Sequence, residues 1–534
     1  MSLARNTAVI GGLTLISRLF GFARDLALAA ALGAGPVADA FFAALRFPNL
    51  FRRLFAEGAF SQAFVPVYSK TLAAEGEEAA NRLASEALSV LLLMTGLLSA
   101  LAIAGMSWIN RALFAGYADD PHTFQLATLL TQLSMPYLVA MSAATLFSGV
   151  LNAHGRFFAA AAAPILFNLC QLTALWLVHD NPEYASVAAI SAVSISGILQ
   201  ALWVWWGAAR SGTKLGFPFP RLTAGVKRLF VLAAPAAIAG GALQINVMIS
   251  QALASFERGA ITYLNVADRL YQLPLGLIGI AVGVAMLPRL SRLVQEGDEA
   301  GARGALDEAV ALSMAFTLPA AAAMLAIPFY LIDGLYSRGA FDAADAHNAA
   351  LALIHYGWGV PAFVLAKIYA PAFFAREDTK APMRYAITSM VINVALGAAL
   401  FFGLRSMGLP GFQGLAIATS TAAWVNALLM IRSLMARGAY RPTPAAFGRL
   451  LRICLASAIL FAVMWFGYAN REWLEATLGS KEASIALLIL GGGTFYFIVA
   501  FLVRAVTISE VRAAFKRQPG PAGGGGGLPP GVDG

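Results

Sequence analysis

Eight ionisable residues interrupt the first two apolar stretches of this chain: Arg18, Arg24, Asp25, Asp39, Arg46, Arg52, Arg53 and Glu57. A charged side chain in hydrocarbon costs between about 3 and more than 10 kcal/mol, so these groups must face protein or water. Asp39, Arg46 and Arg53 recur every seven residues and lie along one stripe of a second helix, with Glu57 one turn beyond Arg53 and within pairing reach. Arg18 and Asp25 share a face of the first helix in the same way. Arginines outnumber carboxylates here, and a watery chamber with surplus guanidinium wants an anion. Guanidinium suits phosphate because its fork donates two parallel hydrogen bonds and stays ionised at any biological pH. Internal ion pairing or snorkelling to an interface is the alternative reading, most directly for Arg46, Arg53 and Glu57, which have partners at hand.

A second signal of the same kind falls on an eighth span, where Asp268 and Arg269 sit between Tyr263 and Pro274. The two could pair locally, but sequence neighbours point about 100° apart on a helix. Arg269 is therefore expected in the same chamber. Gly207 to Gly212 has the spacing of a phosphate-binding loop but is followed by Thr213-Lys214 instead of Lys-Ser/Thr, and no nucleotide site is expected. His355 is the histidine plainly inside a span, read as a satisfied structural residue with a proton-linked role as the alternative.

The elements that hold these side chains follow from composition. Of 534 residues 59% are hydrophobic and 12% charged, with mean hydropathy +0.72. A soluble chain could not hide that much apolar surface. The expected class is an all-α polytopic membrane protein with about 14 helices, the first apolar runs at 7–33 and 37–66 and the last at 482–505. The formal charge of +9 punctuates short loops and does not gather into a domain or tail that could grip nucleic acid. One set of loops carries Lys70, Arg156, Lys214, Arg289, Arg376 and Arg437, and the opposite set holds Asp119, Asp180, Asp333 and Asp342. The cation-rich set is expected to be cytoplasmic, with both termini on that side and no removable signal peptide. Cys170 and Cys454 read as buried, inert thiols, with no disulfide and no metal site.

A weak internal repeat runs through the chain. Pro136 to Pro361 and Asn168 to Asn393 are both offsets of 225, while Asp39 pairs with Asn265 and Pro48 with Pro274 at 226. The repeat predicts two six-helix lobes at 1–220 and 221–440 around a central cavity, then two extra transmembrane helices at 441–510 and a disordered cytoplasmic tail at 511–534, rich in glycine.

The stretch Phe47-Pro48-Asn49-Leu50-Phe51-Arg52-Arg53, continuing through Glu57-Gly58-Ala59-Phe60-Ser61-Gln62 to Pro66, resembles the hallmark of the MurJ (MviN) family. So do Ser17-Arg18-Leu19-Phe20-Gly21 with Arg24-Asp25, the stretch from Ala267 to Leu275, and Phe373 to Pro382 with its Asp378-Thr379-Lys380. The similarity runs to about residue 510. The resemblance implies membership of the multidrug/oligosaccharidyl-lipid/polysaccharide exporter superfamily, with a V-shaped cavity. It implies that lipid II, an undecaprenyl diphosphate carrying a disaccharide-pentapeptide, is moved from the inner to the outer leaflet of the bacterial inner membrane. By position, Arg18, Arg24, Arg52 and Arg269 match the family's cavity arginines, Asp25 and Asp39 match its acids, and the last two spans match a pair that grooves the polyprenyl tail. Some members bind sodium through an acid one turn after an asparagine; here Asn393 is followed by Gly397, which puts that site in doubt.

The expectation is thus a transporter and not an enzyme, acting as a monomer on lipid II within membrane lipid, without cofactor, ATP or nucleic acid. A monovalent cation or the membrane potential is left open as the driving force. A related exporter of another polyprenyl-linked saccharide or of drugs is the competing reading, and it would lack the arginine-rich second helix. A membrane glycosyltransferase would need carboxylates or a metal at a membrane face, usually with sizeable loops.

Overall fold

The computed structural model describes residues 3–51 and 59–507. Arg52, Arg53, Glu57 and the glycine-rich tail lie outside the described residues. All regular structure among the described residues is helical, as a lipid solvent demands, because a helix satisfies its own backbone polar groups.

The first helices are α1 (Leu3–Leu32), α2 (Pro36–Phe51), α3 (Ala59–Leu113), α4 (Pro121–Ser134), α5 (Pro136–Ala153), α6 (Phe158–Leu177) and α7 (Pro182–Arg210). There follow α8 (Ala224–Ala254), α9 (Ala260–Gln295), α10 (Glu299–Ala326), α11 (Pro328–Tyr336), α12 (Ala343–Gly357), α13 (Val360–Phe374), α14 (Lys380–Ser406) and α15 (Phe412–Ala436). The chain ends in α16 (Pro444–Ala469), α17 (Arg471–Leu478), α18 (Lys481–Ala486) and α19 (Gly492–Leu502). Proline opens α2, α4, α5, α7, α11 and α16, where its missing N–H would have had no partner anyway. Side chains of Asp120, Asn181, Thr223, Asp298, Thr443 and Ser480 cap helix starts, and Asp342 with Asp345 forms a reciprocal capping box.

Ten stretches among the described residues are long and apolar enough to cross a membrane. The 30-residue α1 is also of spanning length but carries Arg18, Arg24 and Asp25 within its apolar run. Two spans are each broken by a repeat-matched proline, α4/α5 at Pro136 and α12/α13 at Pro361. The sequence places a span end at Pro66, whereas helix continues through Lys70 as α3 and turns at Gly76, whose φ of 86° suits glycine.

Helix pairing repeats itself. In the first set α1 packs on α6, α2 on α4, α3 on α5, and α7 on both α5 and α6. In the second set α8 packs on α14, α9 on α12, α10 on α13, and α15 on both α13 and α14. α8 is shared: its opening turns, with Val226 and Leu229, pack into the first set beside Leu83 and Phe64. α16 lies along α10 and α19; its start is tied to α10 by Tyr440 and Thr443, which donate to the Asp307 carboxylate, and α19 is tied to α10 by the Tyr496 hydroxyl, which donates to the Ala315 carbonyl at 2.7 Å.

The apolar core shows how the two sets meet. At the acid-bearing face one cluster joins them, holding Leu28, Phe41 and Ile190 together with Ile261, Tyr336 and Phe412. Toward the cation-rich face it divides into two: Phe60, Tyr68 and Leu146 belong to one cluster, Leu290, Tyr369 and Leu434 to another. The sets share one core at the acid-bearing end; at the other their cores are distinct among the described residues, with the opening turns of α8 lodged in the first. Cys170 is half-buried and Cys454 exposed on α16, which corrects the expectation that both are buried.

Candidate anion-binding site

Between the separating sets, α1 and α9 bring three of the expected arginines together. Asp25 is the joint. Its Oδ1 accepts Arg24 Nη2 at 2.7 Å, and its Oδ2 meets Arg269 Nε of α9 at 3.1 Å. One carboxylate thus serves two guanidinium groups from opposite sets. Seven residues of α1 separate Asp25 from Leu32 and nine of α9 separate Arg269 from Ala260, placing the joint roughly 10–14 Å below the acid-bearing face at 1.5 Å per residue. That depth is near the middle of a bilayer.

Arg24 is further fixed. Its Nη1 donates to Asn168 Oδ1 at 3.0 Å, and its guanidinium lies 5.2 Å from the Phe167 ring centroid. Asn168 in turn donates from Nδ2 to the Ser17 carbonyl at 3.0 Å, which sets its amide orientation. Arg18 is exposed and carries no ion pair or hydrogen bond among the described residues. Its Nη1 lies 3.2 Å from where a Cβ on Gly276 of α9 would stand, so it too looks across to the second set. Arg18 and Asp25 therefore face α9 together, as their spacing requires. Arg269 does not pair with Asp268, whose carboxylate takes Gln272 one turn on.

Asp39 is placed elsewhere. Buried at the acid-bearing face, it accepts from Gly259 N at 2.6 Å, Thr262 N at 2.9 Å and Thr262 Oγ1 at 2.7 Å, and so caps the start of α9 from the opposite set. Arg46, two turns along the same stripe, donates Nη2 to Asn265 Oδ1 at 2.7 Å. Its Nε faces the Gln251 amide, which accepts at 2.7 Å in its favourable orientation. Asp39 and Arg46 thus share one stripe facing the second set, and Arg46 reaches amides of α8 and α9. Among the described residues, Arg24 and Arg269 share the single carboxylate of Asp25, and Arg18 stands beside them. Arg52, secondary Arg53 and Glu57 lie outside the described residues.

The remaining cross-set contacts close the acid-bearing face. Ala340 N donates to the Ala30 carbonyl at 2.7 Å, Ala34 N to Asp345 Oδ2 at 3.3 Å and Gly116 N to Ser255 Oγ at 3.2 Å. Arg258 approaches Asp120 at 3.5 Å. Gly33 and Gly339 have φ of 66° and 60°, and each meets the other strand's backbone: a Cβ on Gly33 would stand 2.6 Å from the Ala340 carbonyl oxygen, and one on Gly339 would strike the Ala30 carbonyl.

Sequence reasoning missed Asn168 as the Arg24 partner, although the Asn168/Asn393 repeat marked it. It also missed Gly259 and Thr262. Glycine followed three residues later by threonine at a helix start was the available signal. His355 is half-buried, with Nε2 3.3 Å from Gln413 Oε1 and its carbonyl accepting Ser420 Oγ at 2.6 Å. No cluster of three metal-ligating side chains occurs among the described residues.

Comparison with known proteins identifies the family. The profile described as "Lipid II flippase MurJ" matches residues 28–478. A probable lipid II flippase MurJ of Rhizobium tropici is 42% identical over 533 residues, covering 98% of each chain. Lipid II flippase MurJ of Burkholderia cenocepacia is 34% identical, covering 93% of this chain and 96% of its own. A solved structure titled lipid II flippase MurJ, inward closed conformation, is similar in fold with a TM-score of 0.76 at 24% identity, covering 93% of this chain and 99% of that one. An inward-facing multidrug transporter of the MATE family aligns with a TM-score of 0.65 at 14% identity, covering 80% of this chain and 97% of that one. On the profile match and these full-length relatives, this multi-pass membrane protein belongs to the MurJ family of lipid II flippases.

Proposed function

We propose that the chain carries lipid II from the cytoplasmic to the outer leaflet of the bacterial inner membrane, with Arg18, Arg24, Arg52 and Arg269 as ligands of its diphosphate. The observation that carries this reading is the single carboxylate of Asp25 shared by Arg24 and Arg269 at mid-membrane depth, with Arg18, unpaired among the described residues, beside them. A diphosphate entering there replaces a strained ratio of two cations per acid with bidentate pairing. The cation-rich face is taken as cytoplasmic, with both termini on that side. On that orientation the chamber opens to the cytoplasm and is sealed toward the periplasm by the Asp39 cap and the Gly33/Gly339 crossing.

Two rocking units, 1–220 and 221–440, give alternating access, and 441–510 holds the polyprenyl tail. Asp25 has a second task in this cycle. It holds α1 to α9 while the chamber is empty, and releases Arg269 once phosphate competes. The membrane potential, positive outside, favours outward movement of the anionic headgroup by about 2.3 kcal/mol per charge per 100 mV. The test is leaflet-resolved accessibility of lipid II in cells as the protein is switched off. Accumulation on the inner face is expected. Unchanged arrival at the outer face would transfer the reading to a related exporter of another polyprenyl-linked saccharide.

A further inference from the structure

The segment joining the two helix sets, residues 211–223, is not used by the transport reading, and its composition is unusual. Phe217, Phe219 and Leu222 expose 68%, 80% and 71% of their surfaces, although a loop in water would ordinarily be polar. Lys214 and Arg221 alternate with them, and Lys227 and Arg228 follow on the first turns of α8. Between Glu183 and Glu257 the chain contains no acidic residue at all. Pro218 and Pro220 prevent helix across the aromatic pair, so the rings are held out on an extended backbone.

Its depth is set by its neighbours. The preceding helix ends with exposed Trp205 and Trp206, and Arg210 stacks on the Trp206 ring at 4.0 Å. Tryptophan backed by arginine marks the boundary between hydrocarbon and headgroups. The segment is then tied down onto α3: Gly216 N donates to Ser85 Oγ at 3.0 Å, and Thr223 Oγ1 to Glu86 Oε2 at 2.8 Å. From Ser85, α3 runs nine more residues to its turn at Gly76, roughly 13 Å further from the membrane. The segment therefore stays at headgroup level and does not project into solution.

We propose that residues 211–223 are a membrane-surface anchor, in which Phe217, Phe219 and Leu222 enter the leaflet at the cation-rich face and Lys214, Arg221, Lys227 and Arg228 bind its anionic headgroups. The link between the two helix sets is then referenced to the bilayer, and their relative movement takes place about a point fixed in one leaflet. Aromatic and leucyl side chains flanked by cations and lacking acids are the composition that binds such a surface. A soluble protein partner would also want exposed aromatics, but it gives no reason for the stretch without acids at the level of the tryptophans.

The test uses the full chain with Cys170→Ala and Cys454→Ala, a nitrobenzoxadiazole label on Phe219→Cys, and nanodiscs of phosphatidylglycerol and phosphatidylcholine or of phosphatidylcholine alone. A label on Lys70→Cys, near the turn of α3, serves as the water-exposed control. The label at 219 is expected to be quenched by lipid carrying a doxyl group at acyl carbon 5, and roughly threefold less by aqueous iodide than the control. With phosphatidylglycerol present, Lys214→Gln with Arg221→Gln should reduce the lipid quenching. Equal iodide quenching at both sites, with no lipid quenching at 219, overturns the proposal. So does lipid quenching that is indifferent to both phosphatidylglycerol and the two cations, which would reduce the anchor to apolar contact alone.

Discussion

Asn168 on α6 and Asn393 on α14 occupy equivalent places in the two helix sets, and their surroundings differ in one respect that matters. Asn168 holds a guanidinium: it accepts from Arg24 and donates to the Ser17 carbonyl. Asn393 holds neutral groups, donating to Asn246 Oδ1 at 3.2 Å and accepting from Thr419 Oγ1 at 3.4 Å. Each asparagine ties its helix to the opening helix of its set, so the frame is duplicated. The charge is not. The first set presents cations to the chamber on its own opening helix, while the second contributes Arg269 from its next helix. Duplication of a fold thus conserves the joints between helices and leaves the chamber chemistry free to become one-sided.

The sharpest way to break this comparison is to remove the charge. Arg24→Ala or Arg269→Ala should lower growth support in a flippase-depleted strain by roughly a hundredfold or more, the scale of losing a preorganised donor to an anion, while the protein still inserts and folds. Full complementation by both variants would end the cavity-arginine account. Arg24→Lys keeps the charge but loses the fork; the loss of one charged hydrogen bond, about 1.5–3 kcal/mol, predicts a ten- to hundredfold defect in transport rate.

Next in size is the seal. Asp39→Asn turns an acceptor of three hydrogen bonds into a group with an amide facing donors, a cost of roughly 1–3 kcal/mol to the closed face. In a background of Cys170→Ala and Cys454→Ala, a cysteine at Ser255 should then react several-fold faster with a membrane-impermeant reagent added from the acid-bearing face. An unchanged rate would show that the cap does not hold that face shut.

Gly397 stands where the second set would need a carboxylate beside Asn393 to hold a cation in the manner of some relatives. A Cβ there would meet Leu415 at 3.4 Å, an ordinary contact. Replacing sodium by potassium should therefore shift the melting temperature by less than about 1 °C. A larger shift would reveal a cation site built without that acid.

The smallest effect belongs to the exposed Arg258–Asp120 pair. Hydrogen bonds from the Thr123 backbone and hydroxyl, with a lesser contribution from Arg258, hold the Asp120 carboxyl below its usual value. A depressed carboxylate contributes stability that is complete above the unfolded value of 3.8 and is lost as pH falls through the lower folded value. Melting curves of the wild type and Asp120→Asn should thus differ by no more than about 0.5 kcal/mol between pH 5 and 8, and converge in stronger acid.

Much of this was legible in the sequence because lipid imposes strict rules. Apolar runs had to be helices, and the charges on α1 had to turn inward. The 225-residue offset correctly paired Pro136 with Pro361 and Asn168 with Asn393, since each pair breaks or joins the same element. What could not be read was partner choice across the chain. Arg46 reaches Asn265 and Gln251, each more than 200 residues away, and nothing near it in sequence points to either. Asp39 carried the same charge as Asp25 and similar helical surroundings. Its position at the start of α2, opposite the first turn of α9, makes it a cap, whereas the deeper position of Asp25 makes it a counter-ion. Depth along a helix is visible in sequence, but the helix that faces it is not.

The crossing of Gly33 with Gly339 has one more consequence. Its hydrogen bond and close approach are made by main chain, so the latch they form contains nothing that titrates and nothing that salt can screen. A change in acidity or salt at the acid-bearing face would leave this latch as it was. Two positions without side chains thus make one part of the seal independent of acidity and salt, whereas the Asp39 cap, the Asp345 contact and the Arg258–Asp120 pair beside it are ionic.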